Sequence, residues 1–401
     1  MTQTDPPFLP YGRHQIDDDD VAAVVDVLRS GWLTTGPVLE KFEAAFAKRV
    51  GARFAVSCSS GTAGLHLASL AAGLGAGDTV IVPALTFLST ANAPRLTGAQ
   101  VVFADVNADT ALMGPAEFAA AIDRASDRIK AVFPVHYGGQ CVDPAAIQQI
   151  AREQNMIVIE DACHSLGASY DAFSIGACTH SDMTVFSFHP VKAIAMGEGG
   201  MITTNDPALY ERLCRFRNHG MVKAADQFDN PEMGLDETGA ANPWYYEMPE
   251  LGLNYRPSDI NCALGLSQLA KLDRFLERRR SLAARYDERI KPLASLITPM
   301  PRAAGCKSAF HLYPVLIDFG AAKISRAELM RRLAGEGVGT QVHYLPVHLQ
   351  PYYVAQYGVL SLPAAEAYYE KTLSLPLFPA MSDADIDRVV AALSYALGQA
   401  D

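Results

Sequence analysis

Between about residues 50 and 205, short β-rich runs alternate with helical patterns, and nothing else in the chain restricts the fold as much. The runs at 79–82, 101–105, 131–135, 156–161, 183–188 and 201–204 read as strands. Helical periodicity fills 62–74, 90–96, 115–125 and 144–155 between them. Such alternation predicts an α/β fold with a mostly parallel sheet flanked by helices. In sheets of this kind, ligands collect beyond the carboxyl ends of the strands.

The pattern stops at 221–250, a stretch rich in Gly, Asn, Asp and Pro that also holds Trp244, Tyr245 and Tyr246. A loop this long is expected to be a lid, a binding loop or a subunit contact. Its aromatic cluster argues against disorder. After Pro257 a helical pattern runs through Leu269 and Leu276 into Arg278, Arg279 and Arg280, a triplet expected on a solvated helix face. Strands at 311–318 and 340–344, with helices at 325–335, 364–373 and 383–397, then suggest a smaller C-terminal α+β domain. With 401 residues, 49% of them hydrophobic, the chain is long enough for two cores. The expected division is a large domain over 1–265 and a connector helix plus small domain over 266–401.

Composition narrows the function. No run approaches the roughly 20 apolar residues needed to span a bilayer, and residues 1–10 lack a basic region and an apolar signal core. A cytoplasmic location without membrane attachment is the expectation. A net charge of −11 argues against a nucleic-acid partner but not against a small anionic ligand. Seven scattered cysteines without a Cys-x-x-Cys pair read as reduced thiols. The run Asp17 to Asp20 precedes an apolar-periodic stretch, which suits a helix start better than a metal site. His343 and His348 lack an accompanying carboxylate or cysteine set, so substrate contact or packing is expected there, and no metal.

Three local signals carry chemistry. Lys192 follows the strand at 183–188 and precedes the turn Gly197-Glu198-Gly199-Gly200. An amine held at a sheet rim, away from water, loses its proton more easily and becomes a nucleophile suited to Schiff-base chemistry. A solvent-exposed lysine is the plain alternative. The strand Ile157-Val158-Ile159 ends in Glu160-Asp161, and alternation sends these two acids to opposite faces, so one of them faces the pocket. An acid there suits a protonated pyridine nitrogen, although Asp also caps helices. Ser59-Ser60-Gly61-Thr62-Ala63-Gly64 opens the helix at 62–74, where backbone N–H groups favour an anion. It has no G-x-G-x-x-G spacing, and a simply capped helix is the other reading.

Together these segments resemble the sugar aminotransferases of the DegT/DnrJ/EryC1/StrS family. The resemblance extends over Ser59-Ser60-Gly61-Thr62-Ala63, Pro83-Ala84-Leu85-Thr86-Phe87, Glu160-Asp161-Ala162-Cys163-His164-Ser165, Ser187 to Gly200 and Gly252-Leu253-Asn254-Tyr255-Arg256. It implies a fold-type I enzyme dependent on pyridoxal 5'-phosphate (PLP), a homodimer with shared active sites. By motif position, Lys192 would be the Schiff-base lysine and catalytic proton shuttle, Asp161 the pyridinium partner, and Phe87 the residue stacked on the ring. His164 would lie near the phenolic oxygen. Gly61, Thr62 and Ser187 would hold the phosphate, with Asn254 reaching it from the neighbouring subunit. Core packing for Phe87 and turn chemistry for Asn254 are the alternatives.

A narrower resemblance, through Phe186 to Lys192, Arg217-Asn218-His219-Gly220 and Gln341 to His348, is to the transaminases of pseudaminic acid biosynthesis. It implies amination at C4 of a UDP-linked 4-keto-6-deoxy-N-acetylhexosamine, with L-glutamate as donor. The nucleotide-linked keto sugar would then meet Tyr11, Trp32, Leu33, Thr34, Thr35, His219, Gln341, Val342, His343 and Tyr344. The chain departs from those relatives at Ala195-Met196, where Thr-Thr is frequent. Other nucleotide-linked keto sugars remain open, dTDP- or GDP-linked and aminated at C3 or C4. Related PLP sugar dehydratases carry histidine at the lysine position, so Lys192 argues against that activity. The missing dinucleotide fingerprint argues against an oxidoreductase.

Overall fold

The computed structural model describes residues 7–398; residues 1–6 of the N-terminal stretch read above lie outside them. Seven strands build the central sheet: β1 (Phe54–Cys58), β2 (Thr79–Pro83), β3 (Gln100–Ala104), β4 (Ile129–Val132), β5 (Ile157–Asp161), β6 (Met183–Ser187) and β7 (Gly200–Thr204). Their spatial order is β1-β7-β6-β5-β4-β2-β3. Only β7 runs antiparallel to its neighbours. Every residue of β2 and β7 is buried, as expected where helices cover both faces of a parallel sheet. The expected alternation is therefore the observed architecture, with β1 added. That strand, Phe-Ala-Val-Ser-Cys, carries only a short apolar signal and sits against a helix, Pro37–Val50, that buries Phe42, Phe46 and Val50.

Strands β5 and β6 are parallel neighbours, with Asp161 opposite Val185. Their carboxyl ends deliver Asp161 and Ser187 to the same rim of the sheet. The helix Gly61–Ala71 follows β1 and starts at that rim, capped by Ser60 Oγ, which accepts from the Ala63 N–H at 3.1 Å.

Asp17 to Asp20 do start a helix, Asp18–Arg29. Asp17 and Asp20 form a reciprocal capping box, and Lys271 pairs with both carboxylates. After Pro257 the helical pattern is two helices, Asp259–Ala270 and Leu272–Arg289. The second corrects the expectation for the basic triplet. Arg279 is 1% exposed and donates to the carbonyls of His311 at 3.2 Å and Leu377 at 2.9 Å. A charge reads as surface in a sequence, but a guanidinium can be buried where unpaired carbonyls surround it. Burial lowers its pKa to about 10.

A second sheet pairs Tyr313–Ile317 antiparallel with Ile297–Pro299 on one side and Thr372–Leu375 on the other. The helices Arg326–Gly335 and Asp383–Ala396 cover it through Leu329, Leu333, Val389 and Leu393. The strand expected at 340–344 is reduced to a single bridge between Gln341 and Ser374. Its partner, Thr372–Leu375, lies where the sequence continued a helical pattern to 373. The stretch 221–250 folds back on itself. Val222 bridges Glu247, and the Phe228 and Tyr245 rings meet edge to face at 4.9 Å. Among the described residues no helix is long and apolar enough to cross a membrane.

Candidate active site

Alternation along β5 separates the two acids, as expected. Glu160 turns to a buried polar cluster, accepting from Thr184 Oγ1 at 2.7 Å and Ser181 Oγ at 3.0 Å and lying 3.4 Å from His136 Nε2. Asp161 turns the other way and is 5% exposed. Thr90 Oγ1 donates to its Oδ2 at 2.6 Å and the Cys163 N–H to its Oδ1 at 3.1 Å. Thr86 lies 2.6 Å from Thr90, oxygen to oxygen, extending this chain of hydroxyls. The carboxylate is thus aimed by one helix, Leu88–Leu96, and one turn.

Lys192 sits in the loop after β6, its N–H bonded to the His189 carbonyl at 2.8 Å. The residue is half-buried. Desolvation lowers the pKa of its amine, while the nearby Cys163 and Asp161 act in the opposite direction. An ordinary buried lysine would be neutralised by a carboxylate at ion-pair distance, and none pairs with Lys192 among the described residues. The departure at Ala195-Met196 lies in the packed interior behind the loop. Both residues are buried, and Met196 packs against Gly199 and Gly265, close enough that a Cβ on either glycine would meet its sulfur within 2.8 Å.

His164 is buried above the end of β5. The Gly138 N–H donates to its Nδ1 at 3.3 Å and its Nε2 lies 3.1 Å from the Tyr344 hydroxyl, so Nε2 carries the ring proton. Burial, then the Lys192 and His343 charges, hold its pKa well below the usual imidazole range. Tyr344 is likewise held neutral, its phenol pushed well up by burial and by Asp161. Tyr11 lies 5.5 Å from the His343 ring, and Gly12 lies against Val191. Phe87 is 54% exposed and its ring is 6.0 Å from that of Tyr344. Lys192, Asp161, His164, Phe87, Tyr11, His343 and Tyr344 therefore belong to one locality.

Gly61 and Ser187 close it on the far side. A Cβ on Gly61 would stand 2.7 Å from Ser187 Cβ and 3.2 Å from Cys163 Sγ, so only glycine allows this approach. The first turn of the helix leaves the Gly61 and Thr62 N–H groups without intrahelical acceptors. A cradle of free N–H groups beside a hydroxyl fits a phosphate. An unpaired amine, a buried carboxylate across from it and an exposed aromatic ring fit the rest of PLP.

The other expected residues are reached through their neighbours: Tyr255, next to Asn254, accepts from the Ser59 N–H at 2.8 Å. Trp32, Leu33, Thr34 and Thr35 form an exposed loop tied to Asp259, whose N–H bonds the Leu33 carbonyl at 3.0 Å. His219 and Asn254 are exposed and adjacent to each other, through the Asn218–Asn254 bridge and the His219 N–H on the Leu253 carbonyl. Gln341 is exposed and Val342 half-buried, leading into His343. A cleft of about 520 Å³ opens beside Thr35, Asn218 and Arg256, but Lys192 does not line it. His343 bonds Ser374 at 2.8 Å, and His348 lies 3.3 Å from Glu366.

Two contributors have no sequence signature. Thr90 aims the acid, and His311 lies under His164 with ring centroids 4.4 Å apart. A threonine in a helix and a histidine at a strand edge are common, and only the fold shows what they face.

Residues 14–394 match the DegT/DnrJ/EryC1/StrS aminotransferase family. The chain belongs to that family. It is similar to the spore coat polysaccharide biosynthesis protein SpsC of Bacillus subtilis, at 41% identity over the full length of both chains. Among solved structures it resembles Helicobacter pylori PseC, an aminotransferase involved in the biosynthesis of pseudoaminic acid. There the TM-score is 0.87 at 27% identity, over 98% of this chain and 100% of that one. It also resembles the sugar aminotransferase Spr1654 of Streptococcus pneumoniae in its PLP form, with a TM-score of 0.85 at 26% identity over 98% and 99% of the two chains. This member of the DegT/DnrJ/EryC1/StrS family is thus a PLP-dependent sugar aminotransferase of fold-type I.

Proposed function

We propose that the enzyme moves an amino group from L-glutamate to C4 of a UDP-linked 4-keto-6-deoxy-N-acetylhexosamine, in the cytoplasm and as a homodimer. The observation that carries the general chemistry is one desolvated, unpaired amine at Lys192 beside the buried carboxylate of Asp161. The likeness to PseC and the strings shared with pseudaminic acid transaminases support the C4 assignment.

PLP, when bound, supplies an aldehyde for an amine and a ring that accepts the electron pair left at a deprotonated carbon. The protein supplies the rest. Lys192 provides the amine that links to the aldehyde. Freed, its lowered pKa lets Nζ take the proton from glutamate Cα and later return one to the sugar carbon. Asp161, aimed by Thr90, holds a proton on the ring nitrogen. Phe87 would cover one ring face, and neutral His164, braced by Gly138 and Tyr344, would face the phenolic oxygen. Gly61, Thr62 and Ser187 hold the phosphate, together with the partner subunit's Asn254. Tyr11 and the segment Gln341 to Tyr344 receive the sugar from the same subunit. Trp32 to Thr35 and His219 close around the nucleotide.

SpsC favours a second reading. At 41% identity it is nearer in sequence than PseC, and its name assigns it to spore coat polysaccharide biosynthesis. That reading keeps the reaction and changes the sugar. The test incubates the holoenzyme with glutamate and separate UDP-, dTDP- and GDP-linked 3- and 4-keto sugars, and mass spectrometry records which product gains nitrogen. Preference for a UDP-linked 4-keto-N-acetylhexosamine is the expected result. Turnover of a different sugar alone would replace it with the second reading.

A further inference from the structure

Cys141 and Cys306 are 165 positions apart in the chain, yet their Sγ atoms are 3.1 Å apart. A disulfide bond is about 2 Å long, so roughly 1 Å of side-chain movement separates the two states. The two sulfurs are not equivalent. The Cys141 backbone N–H donates to Cys306 Sγ at 3.0 Å, and Cys306 is half-buried whereas Cys141 is 1% exposed. The reachable sulfur is therefore also the one that receives a hydrogen bond, which stabilises it as thiolate. The Cys141 thiol and N–H draw the Cys306 pKa down to about 7, and the Cys141 thiol is pushed up in return.

We propose that Cys141 and Cys306 form a reversible oxidation site for hydrogen peroxide. The Cys306 thiolate attacks one peroxide oxygen and becomes a sulfenic acid, releasing hydroxide. The Cys141 thiol then bonds to that sulfur, and the sulfenic oxygen departs as water. In sum, two thiols lose two electrons and two protons, and one peroxide becomes two waters.

The link lies one loop from the active site. Gly139 already accepts from the Ala309 N–H at 3.0 Å and Ser308 Oγ at 3.1 Å, and the Leu312 N–H reaches the Gly138 carbonyl at 3.1 Å. Gly138 braces His164, and His311 lies beneath it. A bond from 141 to 306 would fasten together the two segments that hold that imidazole.

The test treats reduced holoenzyme with hydrogen peroxide, then maps peptides without reduction. The expected result is a peptide joined through Cys141 and Cys306, appearing before any other cysteine is oxidised and removed by dithiothreitol. Intact protein should be lighter by two hydrogens. Cys141→Ser should stop the link and leave a sulfenic acid at Cys306 that a dimedone probe captures, with the reduced enzyme's rate kept. Oxidation elsewhere first, or Cys306 passing to sulfinic acid with Cys141 present, would overturn the proposal.

Discussion

Thr90 and the Cys163 N–H each hold one oxygen of Asp161, so the carboxylate keeps a single orientation, the one that its proposed contact with the ring nitrogen needs. A hydrogen bond to a carboxylate contributes about 1.5–3 kcal/mol. Thr90→Val keeps the shape and removes the donor, and kcat should fall about tenfold or more, with little change in KM for glutamate. Steady-state kinetics on the soluble variant would check this. At Lys192 the sign of a pH effect follows from its lowered pKa. Only the unprotonated amine can capture the cofactor's aldehyde, so cofactor uptake by the apoprotein should rise with pH. The rise should be centred below the ordinary lysine value of about 10.4. Stopped-flow absorbance across a pH series would show it, and a midpoint at the ordinary value would refute the desolvated environment. At this scale alternation divided Glu160 from Asp161 without choosing between them, and it was the family motifs that singled out Asp161 and Lys192. Thr90 was not legible, since no local pattern says what a helical hydroxyl faces.

Among elements, the helix Leu272–Arg289 packs its start, Leu272 and Leu276, with residues of the first sheet and Leu282 and Tyr286 with the second, and Arg279 fastens it to the second. Its guanidinium serves carbonyls on the segment leading to His311 and on Leu377, past the strand Thr372–Leu375. Arg279→Met fills similar volume but leaves those oxygens unpaired, and unfolding free energy should drop by about 3 kcal/mol. Denaturant titration would measure the change, and a loss within experimental error would mean that water replaces the guanidinium. The parallel strands were legible because burial on both faces makes them continuous apolar runs. The strand Thr372–Leu375 was hidden, because its Thr-Leu-Ser-Leu pattern continues from a helix without a Gly or Pro between them. The basic triplet misled for the opposite reason. Its charge is plain in the sequence, and the carbonyls that enclose Arg279 come from residues at least 31 positions away.

For the whole molecule, Trp32, Leu33, Trp244 and Leu251 are 50 to 82% exposed. Asn254 and His219 are exposed, and Asn254 follows Trp244 and Leu251 along the chain. If two subunits complete each other's sites, Lys192→Ala and Asn254→Ala should each be inactive alone. Mixed after co-refolding, they should regain about a quarter of the wild-type rate, because half the dimers carry one intact site. No recovery, despite dimers by light scattering, would place each site within one chain. Partner contributions are beyond a single sequence, since nothing in one chain marks which surface meets its copy. Within the chain, the hydroxyl of Tyr344 touches His164 from a segment anchored on the second sheet, whereas Lys192 and Asp161 hang from the first. If Gln341 to Tyr344 receive the sugar as proposed, coenzyme and sugar are held from two different sheets, with a seam between them. Mild heating that loosens the C-terminal sheet would leave a protein still yellow but no longer able to work.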